Sequence, residues 1–185
     1  MAARPTIAAV QALLVPILDQ VYNIPKCANK GKPGLHLEEL LKIPHSPACL
    51  DCADGEIKVF PLKRLANGSL VPKETVAVTM VQKDALLATT WEDSRVFTKL
   101  KNTLFIGYIR DGDNITYQKA VLFNESHPLM DVLAEDYRTI QENAAAGIMG
   151  GSIGELLQTR TKGAGHGSTS RAFYLRTKFL SDIMD

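Results

Sequence analysis

Asp51, Glu56 and Lys58 stand in the spacing D-x4-E-x-K, and no other set of residues in the chain is as well suited to chemistry. Residues 56–61 (EIKVFP) alternate polar and apolar, the pattern of a strand. Side chains on a strand alternate between faces, so Glu56 and Lys58 share one face while Ile57 turns to the core. Asp51 comes from the loop just ahead. Two carboxylates and an ammonium converging at a strand suit metal-assisted phosphodiester hydrolysis. The carboxylates offer a hard cation its oxygen ligands and leave room for water and a phosphate oxygen. The ammonium orients the water and offsets charge in the transition state. A solvated, charged strand face would show the same letters, so the motif needs support from elsewhere in the chain.

Glu38, on a helix after a Lys-Gly loop, adds a carboxylate, and Lys99 and Lys101 precede a second apolar strand. The three cysteines (Cys27, Cys49, Cys52) are an odd number, which argues against a disulfide framework and fits a reducing cytoplasm. Cys49 and Cys52 form a C-x-x-C with His36 and His45 upstream, but a zinc site needs a second ligand pair and only Cys27 remains. Buried, unreactive thiols are the reading.

The elements that must position these groups follow a mixed α/β order. Residues 6–21 read as one helix kinked at Pro16, despite a faint likeness to a signal peptide, and residues 35–41 as a short helix. Strands are expected at 56–61, 75–81, 103–110, 115–123 and 171–176, with Asp111-Gly112-Asp113-Asn114 turning a hairpin and Asn67-Gly68 marking another turn. Residues 91–101 should run from a loop into a helix. Residues 129–146 form an amphipathic helix, Ser152 and Glu155 have capping-box spacing, a glycine-rich loop spans 163–167, and a last helix starts at Phe179. This predicts one α/β domain over 1–185, a central sheet flanked by helices.

The chain has 185 residues, 45% apolar and 22% charged, a profile that excludes disorder and suffices for a real core. No apolar run approaches the ~20 residues needed to cross a bilayer, so no membrane partner is expected. Lys+Arg 21 against Asp+Glu 20 gives a net charge of only +1, but the distribution is lopsided. Lys26, Lys30 and Lys32 occupy an acid-free stretch at 22–36; Arg160, Lys162, Arg171, Arg176 and Lys178 occupy another at 159–178. Between them the 131–142 segment is acidic. Local basic segments in a neutral protein suggest a polyanion held at one surface.

Five ordered blocks together resemble the MutH family of mismatch-repair nicking enzymes and type II restriction endonucleases that cut at GATC. NKGKPGLHLE (29–38) is similar to the family's K-G-x-x-G-x-x-x-E segment, and GEIKVFPL (55–62) to its G-x-E-L-K-x-x-P strand. TWEDSRVFTKLKNTLFI (90–106) is similar to T-W-E-x-S-x-V-x-x-K-L followed by an apolar strand. QTRTKGA (158–164) and RAFYLRTKF (171–179) resemble the DNA-reading loop and the terminal strand.

The resemblance implies a restriction-endonuclease-like PD-(D/E)xK fold with two lobes around a DNA cleft. It implies a Mg²⁺-dependent endonuclease acting on double-stranded DNA, with Mn²⁺ able to substitute. Position by position, Asp51, Glu56 and Lys58 match the metal-binding and catalytic triad, and Glu38 and Lys99 two further active-site positions. Lys30 matches a DNA-contacting lysine, Arg160 and Lys162 the basic residues of the reading loop, and Tyr174 a tyrosine near the target bases. Arginine and lysine can donate to guanine in the major groove, and other lysines can neutralise phosphates.

Three departures leave alternatives open. Asp51 lies two residues closer to Glu56 than in the family, so Asp54 is a second candidate ligand. Thr161 replaces a proline and the 162–171 segment is short, so the target need not be GATC. A C-terminal extension expected of a repair enzyme is not seen, which places restriction-type cleavage ahead of repair nicking; a catalytically silent DNA-binding module is the reading from another class. Dimerisation on DNA and, for a repair-type enzyme, an activating protein are partners the family would allow.

Overall fold

In a computed structural model, residues 3–44, 47–163 and 169–185 are described. The elements run α1 (Ile7–Leu14), β1 (Val21–Asn23), α2 (Lys32–Leu40), β2 (Glu56–Arg64), β3 (Leu70–Pro72), β4 (Val76–Met80), α3 (Lys83–Ala88), α4 (Arg95–Leu100), β5 (Asn102–Asp111), β6 (Asn114–Asn124), α5 (Leu129–Ala145), β7 (Leu157–Thr161), β8 (Arg171–Leu175) and α6 (Thr177–Met184). They divide into two compact units, Met1–Glu74 with Asn102–Phe123, and Thr75–Lys101 with Asn124–Asp185. Among the described residues no helix is long and apolar enough to cross a membrane.

The first unit is a five-stranded sheet in the order β1-β6-β5-β2-β3. It is mixed: β2 runs parallel to β5, Glu56 opposite Thr103, and antiparallel to β3. One face is closed by α1 and α2, whose Ile7, Val10, Leu14, Leu37 and Leu41 pack with Ile57, Leu104, Ile106 and Ile115. Burying such a layer is the main favourable term available to the unit. The alternate positions Phe60, Leu62, Phe105 and Phe123 are buried as well. Both faces of β2 are therefore covered, and its first residue, Glu56, lies among them at 1% exposure.

Gly55, just ahead of β2, is a steric requirement. A Cβ there would lie 2.2 Å from the backbone oxygen of Asn102 and 2.6 Å from Ile7 Cγ1. Only a residue without a side chain lets the starts of β2 and β5 meet this closely.

The second unit is a three-stranded antiparallel sheet, β4-β8-β7, with α5 packed on β7, α3 on α5 and α4 on β4. The ring of Tyr137 on α5 stacks on Phe173 of β8 and meets Trp91, which precedes α4.

Three expectations are corrected. The 6–21 helix stops at Leu14: a turn through Asp19 (φ +62°) leads into β1, an edge strand paired with β6. The first part of the 158–164 segment, which the resemblance makes a DNA-reading loop, belongs to the strand β7 (Leu157–Thr161). Ser152 and Glu155 open no helix; the amide of Glu155 is instead bound by Asp136. The glycine-rich loop at 163–167 and His45 fall largely or wholly outside the described residues.

Candidate active site and nucleic-acid interface

The loop entering β2 is pinned from several sides. The amide of Cys52 donates to Gly55 O (2.9 Å) and that of Ala53 to Pro5 O (2.9 Å), while Arg4 Nη1 donates to Leu50 O (2.6 Å). Held this way, Asp51 faces the first turn of the strand. Its Oδ2 accepts the amide of Ile57 at 3.2 Å, and its own amide donates to Glu56 Oε2 at 3.4 Å. Lys58 Nζ donates to Glu56 Oε1 at 2.7 Å. Asp51, Glu56 and Lys58 thus close into one hydrogen-bonded group at the start of β2.

The burial of that group differs from the sequence expectation. On a solvated strand face Glu56 and Lys58 would both be open to water, yet the Glu56 side chain is 2% exposed and that of Lys58 18%. A carboxylate this deep is costly unless paired, and Lys58 supplies the pair. Asp51, Glu56 and Lys58 together carry a formal charge of −1, a donor set that fits a hard divalent cation. Mg²⁺ commonly takes only one or two carboxylates and completes its shell with water and phosphate. Among the described residues no group of three or more His, Cys, Asp or Glu is arranged to hold a metal.

Asp54, the second candidate ligand, is engaged elsewhere. Its Oδ1 accepts the amide of Ile7 at 2.8 Å at the start of α1, and its backbone oxygen accepts Asn102 Nδ2 at 2.9 Å. A carboxylate on a helix N-terminus is well placed to stabilise that helix.

Glu38 is half-buried on α2. Gly34, one helical turn earlier, lies with its Cβ direction 4.0 Å from Val59 Cβ, so α2 packs on the sheet face that Ile57 and Val59 occupy, alternate to that of Glu56 and Lys58. Lys99 is half-buried in the last turn of α4 in the second unit, four residues ahead of Thr103 in the chain.

Lys30, Arg160 and Lys162 are exposed. Lys30 sits in the turn before α2, where Asn29 Oδ1 accepts the amide of Gly31 at 2.9 Å and Asp113 Oδ1 accepts that of Lys26 at 3.1 Å. Arg160 leaves β7 with Nη1 3.2 Å from Thr75 Oγ1 and its guanidinium 5.8 Å from the centre of the Tyr174 ring. The ring's negative face favours the cation and restricts its swing. Lys162 follows in a turn, its amide donating to Ser170 O at 2.8 Å. Arg171 and Arg176, counted among the basic residues, bind backbone: Arg171 Nη2 donates to Thr159 O (2.9 Å) and Arg176 Nη2 to Gly151 O (2.8 Å).

The thiols need one correction, since only Cys52 is buried; Cys49 is half-buried and Cys27 exposed. Burial first, then the charges of Asp51, Asp54 and Glu56, push the Cys52 thiol up to about 12. The thiolate is the nucleophile, so Cys52 should be inert. Iodoacetamide at pH 8 is expected to label Cys27 in the native protein and Cys52 only after urea unfolding, read by peptide mass spectrometry. Equal native rates at the two sites would contradict the burial.

The fold is α/β, a central mixed sheet flanked by helices, with an acid-acid-lysine group at the mouth of an inner strand. The chain belongs to the MutH family: the family's sequence model, described as DNA mismatch repair enzyme MutH, matches residues 46–143. A DNA mismatch repair protein MutH from Shewanella woodyi (strain ATCC 51908 / MS32) is 31% identical over 150 residues, covering 70% of this chain and 63% of the relative. The chain thus spans less than two thirds of that relative's length. A solved complex of restriction endonuclease MvaI with cognate DNA is similar at 14% identity and a TM-score of 0.48, covering 95% of this chain and 93% of that one.

Proposed function

We propose that the protein is a Mg²⁺-dependent, sequence-specific endonuclease that hydrolyses phosphodiester bonds in double-stranded DNA. The observation that carries the reading is the buried Glu56 carboxylate, held at 2.7 Å by Lys58 and linked to Asp51 through that residue's amide. Asp51 and Glu56 would hold the cation, Mg²⁺ or Mn²⁺. When bound, it polarises the phosphate and acidifies a water. Lys58, with three donor hydrogens and one taken by Glu56, can orient that water and meet charge developing on the phosphate. Glu38 and Lys99 are assigned supporting roles by their match to the family's motifs. Lys30 neutralises phosphate, and Arg160, Lys162 and Tyr174 read bases.

Incubation of supercoiled plasmid with and without Mg²⁺ tests the proposal. Cleavage that needs the cation supports it; binding without cleavage under both conditions would make the chain a silent DNA-binding module. The product then sorts two forms of the same chemistry. Linear DNA in one encounter is restriction-type cleavage. Nicked circles are the repair-type product, which the description of the family and the name of the Shewanella relative favour. Dimerisation on DNA belongs to the first form and an activating protein to the second, with GATC the first target to try.

Arg160 and Lys30 should separate reading from holding. Arg160→Ala is expected to cost ~1–3 kcal/mol on the duplex that the wild-type protein enriches from a randomised pool, and less on a scrambled duplex. Lys30→Ala should weaken both about equally and lower the salt slope by about one. Equal losses on both duplexes for Arg160→Ala would make it a backbone contact, leaving Lys162 the next candidate reader.

A further inference from the structure

The chain just ahead of β7 is gripped by two charged side chains that the proposed chemistry does not use. Asp136 sits on α5 at 6% exposure, within the acidic 131–142 segment. Its Oδ1 accepts the amide of Glu155 at 2.6 Å, and its Oδ2 accepts those of Leu156 at 2.6 Å and Leu157 at 2.7 Å. Three short, charge-assisted bonds offset the cost of burying the carboxylate. From β8's end, Arg176 takes the carbonyls of the same stretch. Nη2 donates to Gly151 O at 2.8 Å and Ile153 O at 3.4 Å, Nε to Gly154 O at 3.1 Å, and the backbone amide to Leu156 O at 2.8 Å.

Residues 151–157 thus give their amides to an anion and their carbonyls to a cation. Gly154 makes the turn between them at φ +87°; a Cβ there would lie 1.9 Å from Leu157 O and 3.3 Å from Asp136 Cγ. No other residue type would let the three amides converge on one carboxylate.

β7 begins where this clamp ends. Leu157 pairs with Leu175, Gln158 with Tyr174 and Arg160 with Ala172, which places Arg160 on the Tyr174 side of the strand. A slip of one residue would move Arg160 to the opposite face, because side chains on a strand alternate. The strand is five residues long and pairs with β8 alone, so few ladder partners set its register.

We propose that Asp136, with Arg176 as its counterpart, is a positioning residue for sequence discrimination: it locks the register of β7 so that Arg160 emerges beside Tyr174 and Thr75. This rests on the reading of Arg160 as a base contact. A purely structural anchor would lower stability and leave discrimination unchanged, so the ratio of affinities for the enriched and scrambled duplexes separates the two roles.

The test uses the full chain. Asp136→Asn keeps the shape but leaves one acceptor oxygen for three amides. It is expected to lower the enriched-to-scrambled ratio by about tenfold, the scale of one lost base contact. In an Arg160→Ala background the same change should lower the ratio no further, since both act through one contact. Arg176→Lys, which keeps the charge but loses the guanidinium fork, should give the same drop and serves if Asp136→Asn does not fold. Folded variants with a lower melting temperature and an unchanged ratio would overturn the proposal, as would failure of both to fold or a full additional loss in the Arg160→Ala background. Should Arg160→Ala itself leave the ratio unchanged, the base-reading assignment fails first and the proposal with it. A drop for Arg160→Ala without one for Asp136→Asn or Arg176→Lys removes the clamp alone.

Discussion

Replacing Lys58 with alanine is expected to slow DNA hydrolysis by ~10²–10³, the scale for one preorganised electrostatic contact. The same change should also lower thermal stability, because it takes from the buried Glu56 carboxyl the ammonium that meets it at 2.7 Å. Breaking a buried pair from the exposed side strands the deeper charge, which is the costly way to break it. Added Mg²⁺ should restore part of the melting temperature, since a cation can take over the neutralisation of Glu56, but not the rate. Single-turnover cleavage at saturating enzyme, beside thermal melts with and without Mg²⁺, reads both. A native fold with an undiminished rate would reduce the E-x-K to a charged strand feature.

Glu56→Gln tests the other half of the pair and should abolish cleavage while sparing most DNA affinity. Here the stranded partner is Lys58, whose side chain is 18% exposed and can turn toward water, so the fold should survive better than in Lys58→Ala. The neutral amide keeps the shape but removes the anionic oxygen a hard cation requires. In the wild-type protein Mg²⁺ or Mn²⁺ should support turnover, and Ca²⁺ should permit binding with little chemistry. Gel-shift affinity and plasmid cleavage, each measured across the three cations and in chelator, decide the matter. Full activity in chelator, or in Glu56→Gln, would remove the proposed metal site.

The parts legible in the sequence were those that local pattern determines. Residues 56–61 alternate and begin β2, residues 129–146 carry a helical stripe that α5 (Leu129–Ala145) realises to within one residue, and Gly112-Asp113 turns the β5–β6 hairpin. What escaped depends on distant partners. The apolar stretch after Leu14 looks helical until Val21–Asn23 finds the edge of β6. The polar run Gln158-Thr159-Arg160-Thr161 has no strand pattern of its own, and becomes one because β8 pairs with it; Thr159 is 1% exposed.

The site follows the same division. The spacing of Asp51, Glu56 and Lys58 was visible, whereas the depth of Glu56 was not, because the burial of the sheet face that carries Phe60, Leu62, Phe105 and Phe123 comes from tertiary packing. Asp136 left a trace that could have been read. It stands three residues after Leu133 and four before Ile140, an acid on the apolar stripe of its own helix, where a carboxylate needs a partner.

The parallel pairing of β2 with β5 also governs when the group formed by Asp51, Glu56 and Lys58 can come into being. Glu56 meets Thr103 only after roughly 50 intervening residues have been looped out, a closure whose entropy must be spent before any contact rewards it. Those residues include Thr75–Lys101, which belong to the other unit. On the ribosome, a nascent chain that has already exposed Asp51, Glu56 and Lys58 therefore still lacks the strand against which Glu56 becomes buried. The buried acid-acid-lysine group therefore matures only after β5 has left the ribosome.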